Sequence, residues 1–212
     1  MSPTSAGSMS DSKSEMRTKG ARPTDVHDLA EGHSPFVRLY LEFAQLKQLY
    51  RQGWLQVGVP DRQCESVAEH TLGVVLLACL IAERERPDLD RDKVFRMALI
   101  HDFGEIHAGD ITPRDGVSAA EKKAREIEGI DAVLRDFPGG EEWMAVWHEY
   151  EESATPEAQF VKQIDRLEMG LQGHIYRKLG HAGADELFQS AIEAVSDERL
   201  APLLAELEEG EE

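Results

Sequence analysis

Ala98-Leu99-Ile100-His101-Asp102-Phe103-Gly104-Glu105-Ile106-His107-Ala108-Gly109-Asp110 is the stretch on which the reading of this chain turns. It sets a histidine and an aspartate side by side at the end of an apolar helical run. Adjacent helical residues point roughly 100° apart, so the two polar heads do not satisfy each other. Two solutions are open. The pair is hydrogen-bonded within a core, as buried polar groups usually are, or it shares a divalent metal, which accepts imidazole nitrogen and carboxylate oxygen together. Val94, Met97, Ala98 and His101 recur at steps of three and four, which turns His101 inward. Asp88 or Asp90 caps this helix, and Gly109-Asp110-Ile111-Thr112-Pro113 ends it as a loop.

Working outward, the apolar periods on both sides are helical. Ser34-Pro35 reads as a helix start, and Phe36, Leu39, Tyr40, Phe43, Leu46, Leu49 and Tyr50 carry an amphipathic period to near Gly53, with Arg51 and Trp54 in its exit. Ser66 opens a helix to about Glu85 that is apolar nearly all round, which predicts a central place in a bundle; His70 lies near its start. Downstream, Ser118-Ala119-Ala120-Glu121 is a capping box, followed by a buried stripe of Ile127, Ile130 and Leu134. Pro138-Gly139-Gly140 breaks that helix, and Glu141 to Glu152 forms the next, with Trp143, Val146, Trp147 and Tyr150 inward. Thr155-Pro156 starts another, with Phe160, Ile164, Leu167 and Leu171 on one face, Asp165 at its border and Gly180 at its end. Two weaker helices are expected near 184–195 and 198–208. No strand pattern competes, so the fold class is all-α, a bundle of about seven or eight helices.

Composition narrows the function. Across 212 residues the acids outnumber the bases by 41 to 23, for a formal charge of -18. That field repels polyanions, so a nucleic-acid polymer is not an expected partner. The two cysteines, Cys64 and Cys79, have no metal-ligand spacing and suggest no disulfide framework, which fits a reducing, cytoplasmic setting. The apolar run from Thr71 to Ala82 is shorter than the roughly 20 residues a bilayer span needs, and no secretory leader is evident. Residues 1–33 are Ser, Thr, Gly, Pro and charge without an apolar period; they are expected to be disordered, leaving 34–208 as a single domain.

Four groups stand in the order His70, His101, Asp102, Asp165, on three helices that the apolar pattern packs together. Two imidazoles and two carboxylates suit Mn²⁺, Co²⁺, Fe²⁺, Mg²⁺ or Zn²⁺ and leave coordination positions open, which is catalytic rather than structural geometry. Without a metal, Asp165 has Arg166 or Lys162 as a partner. Glu105 lies three residues past Asp102 on nearly the same face, and Asp110 opens the loop; acids beside a metal can exchange protons with water or a leaving group. Read alone, Glu105 is a solvated helix-end acid, Asp110 a turn acid and Arg51 a solvated helix-end cation.

Taken in order, these segments resemble the HD-domain phosphohydrolases, and within them the small cytosolic 5′-deoxynucleotidases. The resemblance covers Leu46-Lys47-Gln48-Leu49-Tyr50-Arg51-Gln52-Gly53-Trp54, Glu65-Ser66-Val67-Ala68-Glu69-His70, His101 to Glu105 with Gly109-Asp110-Ile111, Trp147 to Glu151, and Phe160 to Met169. It implies that His70, His101, Asp102 and Asp165 hold a divalent metal. It implies that Glu105 activates or orients the attacking water, that Asp110 assists with protons, that Arg51 binds the 5′-phosphate, and that Trp54 lines the sugar pocket. The implied substrates are deoxyribonucleoside 5′-monophosphates, and the implied assembly is a homodimer. His148 departs from the pattern. With His107 it raises a second metal, but His107 follows His101 too closely for the dinuclear members, and both are read as surface or core histidines. A phosphodiesterase or pyrophosphohydrolase of the same superfamily, or a metal- and nucleotide-binding sensor, remains an alternative.

Overall fold

The structure, a computed structural model, describes residues 16–19, 29–30 and 32–209. Among them are eight helices of seven or more residues and no named strand. In chain order the helices are α1 (Pro35–Phe43), α2 (Gln52–Gln56), α3 (Val67–Glu85), α4 (Arg91–Ile100), α5 (Glu105–Ala108), α6 (Ala119–Leu134), α7 (Gly140–Glu151), α8 (Pro156–Lys178), α9 (Ala184–Ala194) and α10 (Ala201–Glu209). Short polar caps start the longer ones. Ser66 and Glu69 form a reciprocal capping box on α3, Asp90 accepts from Asp92 and Lys93 at α4, and the Ser118 and Thr155 hydroxyls cap α6 and α8. Such caps are worth about 1 kcal/mol each.

Two expected helices are shorter than their apolar periods. The first stops at Phe43 rather than near Gly53. Residues 44–48 wind as turns, and Leu46 and Leu49 still bury completely or nearly so. The helix breaks because its continuation is claimed by the start of α3: the N–H groups of Ala68 and Val67 donate to the Leu46 and Leu49 carbonyls at 3.1 and 2.9 Å. Phe36 and Tyr40, expected inward, are 67% and 59% exposed. The fourth helix ends at Ile100; His101 is its C-cap, residues 101–104 form a turn, and Glu105 starts a new short helix. A third difference concerns α3, which is not enclosed all round: Leu72, Leu76 and Leu80 form a stripe at steps of four that faces outward.

The largest core packs α3, α4, α8, α9 and α10 through residues such as Val74, Ala78, Met97, Ile164, Phe188 and Leu204. A second gathers Leu46, Val67, Ile100, Ile106, Ile130 and Trp147, and a third holds Tyr50, Trp54 and Tyr176. Each large apolar side chain so enclosed contributes about 1.5–3 kcal/mol. His70 lies on α3 between Val67 of the second core and Val74 of the first, so the polar site sits at their junction.

A short piece of the N-terminal stretch runs along this junction. Thr18 bridges to Leu49, and the Lys19 N–H donates to the Gln48 carbonyl at 2.8 Å. Arg17 exchanges two hydrogen bonds with the Gln52 side chain, at 3.2 and 2.9 Å, and the Lys19 ammonium lies 2.7 Å from Glu69. Met16 lies on Gly109, whose φ of +78° favours glycine and where a Cβ would meet the Met16 sulfur at 1.8 Å. Apart from residues 16–19, 29–30 and 32–33, the stretch 1–33, His27 included, lies outside the described residues. No helix among the described residues is long and apolar enough to cross a membrane.

Candidate metal centre

The end of α4 delivers His101 inward, and the first turn of α3 delivers His70; their Nε2 atoms face each other at 3.4 Å. Both rings are oriented from behind. The His101 Nδ1–H donates to the Ala98 carbonyl at 2.8 Å, and His70 Nδ1 lies 2.6 Å from the Glu168 carboxylate. With protons on both Nδ1 atoms, both Nε2 atoms present lone pairs to the same small volume. Asp102 Oδ2 enters that volume 3.2 Å from His101 Nε2 and 3.7 Å from His70 Nε2. Asp165 Oδ1, from α8, lies 3.2 Å from His70 Nε2. His70, His101 and Asp102 present donor atoms within 4.8 Å of one another, and Asp165 joins them through His70. Asp102 Oδ2 is buried with no hydrogen-bond partner. Lone pairs converging on a buried, unpartnered carboxylate oxygen leave a deficit that a divalent cation fills. The donor set therefore fits a metal.

The charges are tightly balanced. Burial works against an ionised Asp102, but His101, Arg51 and His70 outweigh it and hold the carboxyl well below the usual range. Asp165 is held low against burial by His70, His101 and Arg166. Burial and Arg51 push the His70 imidazolium down, but Glu168 and Asp165 prevail and hold it up at about 10. In the metal-free cluster His70 thus carries a second proton, on Nε2, which a bound cation would displace.

Three of the remaining expected residues, Arg51, Glu105 and Asp110, fall on the rim. Arg51 caps α2 and is not solvated: its side chain is 16% exposed and its Nη1 lies 3.3 Å from Asp110, 3.7 Å from Asp102 and 3.9 Å from Glu105. Asp110 also accepts from the Gln52 N–H at 2.5 Å. Glu105 is 4% exposed, and burial together with Asp102 and Asp110 pushes its carboxyl well above the usual range. Trp54 is set apart from these rim residues. It is 2% exposed, packs edge-on against Tyr176 and donates its indole N–H to Glu65 at 2.8 Å. Glu65 is its link to the centre, since Glu65, His70 and Glu168 form a second convergent group. Burial and the Glu168 charge bring the Glu65 carboxyl up to about 7.

Glu168 and Lys122 are absent from the expected set. Glu168 follows Asp165 by three residues, a spacing that puts both on one face of α8 and could have flagged it. Lys122 reaches from α6 to the Ile111 carbonyl at 3.0 Å; nothing in its local sequence points there. Neither extra histidine enters the centre. His107 Nε2 lies 3.3 Å from Glu42, and His148 packs on Trp147, while the Trp147 indole donates to the His101 carbonyl at 3.2 Å.

The HD domain family model matches residues 43–208. The human 5′-deoxynucleotidase HDDC2 is 33% identical over 177 residues, covering 82% of this chain and 83% of that protein. Among solved structures, a conserved hypothetical protein from Pyrococcus furiosus superposes with a TM-score of 0.68 at 29% identity, covering 82% of this chain and 99% of that one. A protein from Magnetospirillum magnetotacticum, described as a predicted metal-dependent phosphohydrolase, gives a TM-score of 0.66 at 26% identity, covering 83% and 90%. A match that takes in His70, both members of the His101-Asp102 pair and Asp165 leaves one conclusion: the chain belongs to the HD-domain family.

Proposed function

We propose that this protein is a metal-dependent 5′-deoxynucleotidase that hydrolyses deoxyribonucleoside 5′-monophosphates to the deoxyribonucleoside and phosphate. The observation that carries the reading is the buried, unpartnered Asp102 oxygen facing two imidazole Nε2 atoms, with Arg51 beside it. Relatives that are named for this activity and align over most of the chain support the substrate class. His70, His101, Asp102 and Asp165 would hold the cation, whose identity among Mn²⁺, Co²⁺, Fe²⁺, Mg²⁺ and Zn²⁺ the donor set does not fix. When bound, it supplies Lewis acidity to the phosphoryl group and the attacking water.

The chain's own residues do the rest. Arg51, held by Asp110, presents its guanidinium fork to the 5′-phosphate. Glu105 in its ionised form, made more basic by burial and neighbouring acids, takes a proton from water as the water oxygen bonds phosphorus and the bond from phosphorus to O5′ breaks, and that proton passes on to O5′. Asp110, held by the Gln52 N–H and Arg51, assists that transfer as an acceptor beside Glu105. Trp54, clamped by Glu65 and Tyr176, backs the deoxyribose, and a ribose 2′-hydroxyl left unpaired there costs about 1–3 kcal/mol. All of these residues lie in the domain 34–208. The exposed Leu72, Leu76 and Leu80 stripe supports a homodimer, and the two free cysteines support a cytoplasmic setting.

The test is phosphate release from dAMP, dCMP, dGMP and dTMP with Mn²⁺ or Co²⁺, set against the ribonucleotides, cyclic nucleotides and triphosphates. Release from the deoxyribonucleoside monophosphates is expected. Glu105→Gln is expected to keep metal and nucleotide binding and lose turnover about 10²–10⁴-fold. Faster hydrolysis of cyclic or triphosphate nucleotides would replace this reading with another phosphohydrolase activity, and binding without turnover in the wild type would leave a sensor.

A further inference from the structure

Glu168 stands behind the centre rather than in it. It is 7% exposed, and its Oε2 lies 2.6 Å from Nδ1 of a fully buried His70. That ring has two nitrogens and one task for each: Nδ1 faces Glu168, and Nε2 faces His101, Asp102 and Asp165. The carboxylate reaches Nδ1 because of a second residue. Gly73 lies on α3 three residues past His70, and a Cβ there would sit 2.6 Å from Glu168 Oε1 and 2.9 Å from its Cγ. Those atoms belong to a flexible side chain, so a methyl at position 73 would displace Glu168 and leave the helices in place.

We infer that Glu168 is a positioning residue which, through the space left by Gly73, holds His70 with its proton on Nδ1 and its Nε2 lone pair turned to the cation. The step rests on the reading of His70 as a metal ligand. The convergent group of Glu65, His70 and Glu168 could instead be taken as a second cation site. A hydrogen bond of 2.6 Å already occupies Nδ1, and Glu65 already accepts from Trp54, so the orienting role is the better account of these atoms. Carboxylates that back a ligating imidazole fix its tautomer, and their loss weakens metal binding about 10–100-fold.

The experiment is calorimetric titration of Mn²⁺ into the full-length, metal-stripped protein. Glu168→Ala is expected to weaken binding about 10–100-fold with the number of ions bound per chain unchanged. Glu168→Gln, whose amide oxygen still accepts from Nδ1–H, is expected to stay within a few-fold of wild type. Gly73→Ala is expected to reproduce the Glu168→Ala loss, and the double variant to bind no worse than either single. Circular dichroism checks that each variant is folded, and Gly73→Ala carries the test should Glu168→Ala fail to fold. His70→Ala separates the two levels of the argument. If it weakens binding while Glu168→Ala and Gly73→Ala do not, the positioning role is overturned and the metal site stands. If His70→Ala binds as wild type does, the ligand assignment falls and takes this inference with it. Fewer ions per Glu168→Ala chain would make Glu168 a ligand, and an additive double variant would uncouple Gly73 from it; either overturns the proposal.

Discussion

Arg51 shows what a single residue can hide. In the sequence it is an arginine after an amphipathic run, with nothing to distinguish it from a solvated helix-end cation. In the fold it is surrounded by Asp102, Glu105 and Asp110, and those three carboxylates explain why it is kept desolvated. Arg51→Lys preserves the charge and loses the planar fork. With charge-assisted hydrogen bonds worth about 1.5–3 kcal/mol, kcat/KM for deoxynucleoside monophosphates should fall about 10–100-fold, chiefly through KM, in steady-state assays. His70, His101, Asp102 and Asp165 could be picked out as candidates because each stands on or beside the apolar face of one of three helices, and the structure brings the donor atoms of His70, His101 and Asp102 within 4.8 Å of one another. Glu168 was not legible, because its role depends on a gap at Gly73 between two helices far apart in the chain. Trp54 was legible as a large apolar group near the site, but not as a residue hydrogen-bonded to Glu65 and almost wholly enclosed.

Among the elements, starts were easier to read than stops. Ser66, Asp90, Ser118 and Thr155 announce their helices by local chemistry. The breaks after Phe43 and Ile100 have no such marker, since the apolar period runs through both and the competing hydrogen bonds come from elsewhere in the fold. The crossing of α5 and α6 is equally invisible in sequence: a Cβ at Gly129 would sit 2.4 Å from the Gly104 carbonyl oxygen, a backbone atom that cannot swing aside. Gly129→Ala should therefore destabilise the protein by about 1–3 kcal/mol, seen as a lowered Tm, and should reduce turnover further by shifting Glu105, the next residue after Gly104. On α6 itself, burial outweighs Lys122 and, with Glu151 and Asp102, lifts the Glu126 carboxyl from 4.5 to about 7. Between those values the unfolded chain has lost a proton that the folded chain keeps, so stability falls as pH rises through that window. Glu126→Gln should flatten unfolding free energy against pH there by about 1–3 kcal/mol, measured by urea titration.

At the scale of the whole molecule, a charge of -18 must coexist with an anionic substrate, and Arg51 with Lys122 supplies the local exception. The outward stripe on α3 is the clearest departure from a lone domain with its apolar residues enclosed: Leu72, Leu76 and Leu80 are 69%, 56% and 55% exposed. The proposed homodimer predicts that the parent sediments as a dimer and that a Leu76→Glu and Leu80→Glu double variant sediments as a monomer with an unchanged helical spectrum; a double variant that sediments as the parent does would remove this stripe as the interface. The passage of residues 16–19 along the core junction has its own outcome. Met16 rests on Gly109, the neighbour of Asp110; Arg17 pairs with the neighbour of Arg51; and Lys19 pairs with the neighbour of His70. Trypsin cuts after Arg17 and Lys19, so brief digestion should bleed away activity in step with loss of this contact while ellipticity persists, making residues 16–19 an outlying prop of the domain that a version trimmed to residue 34 would forfeit.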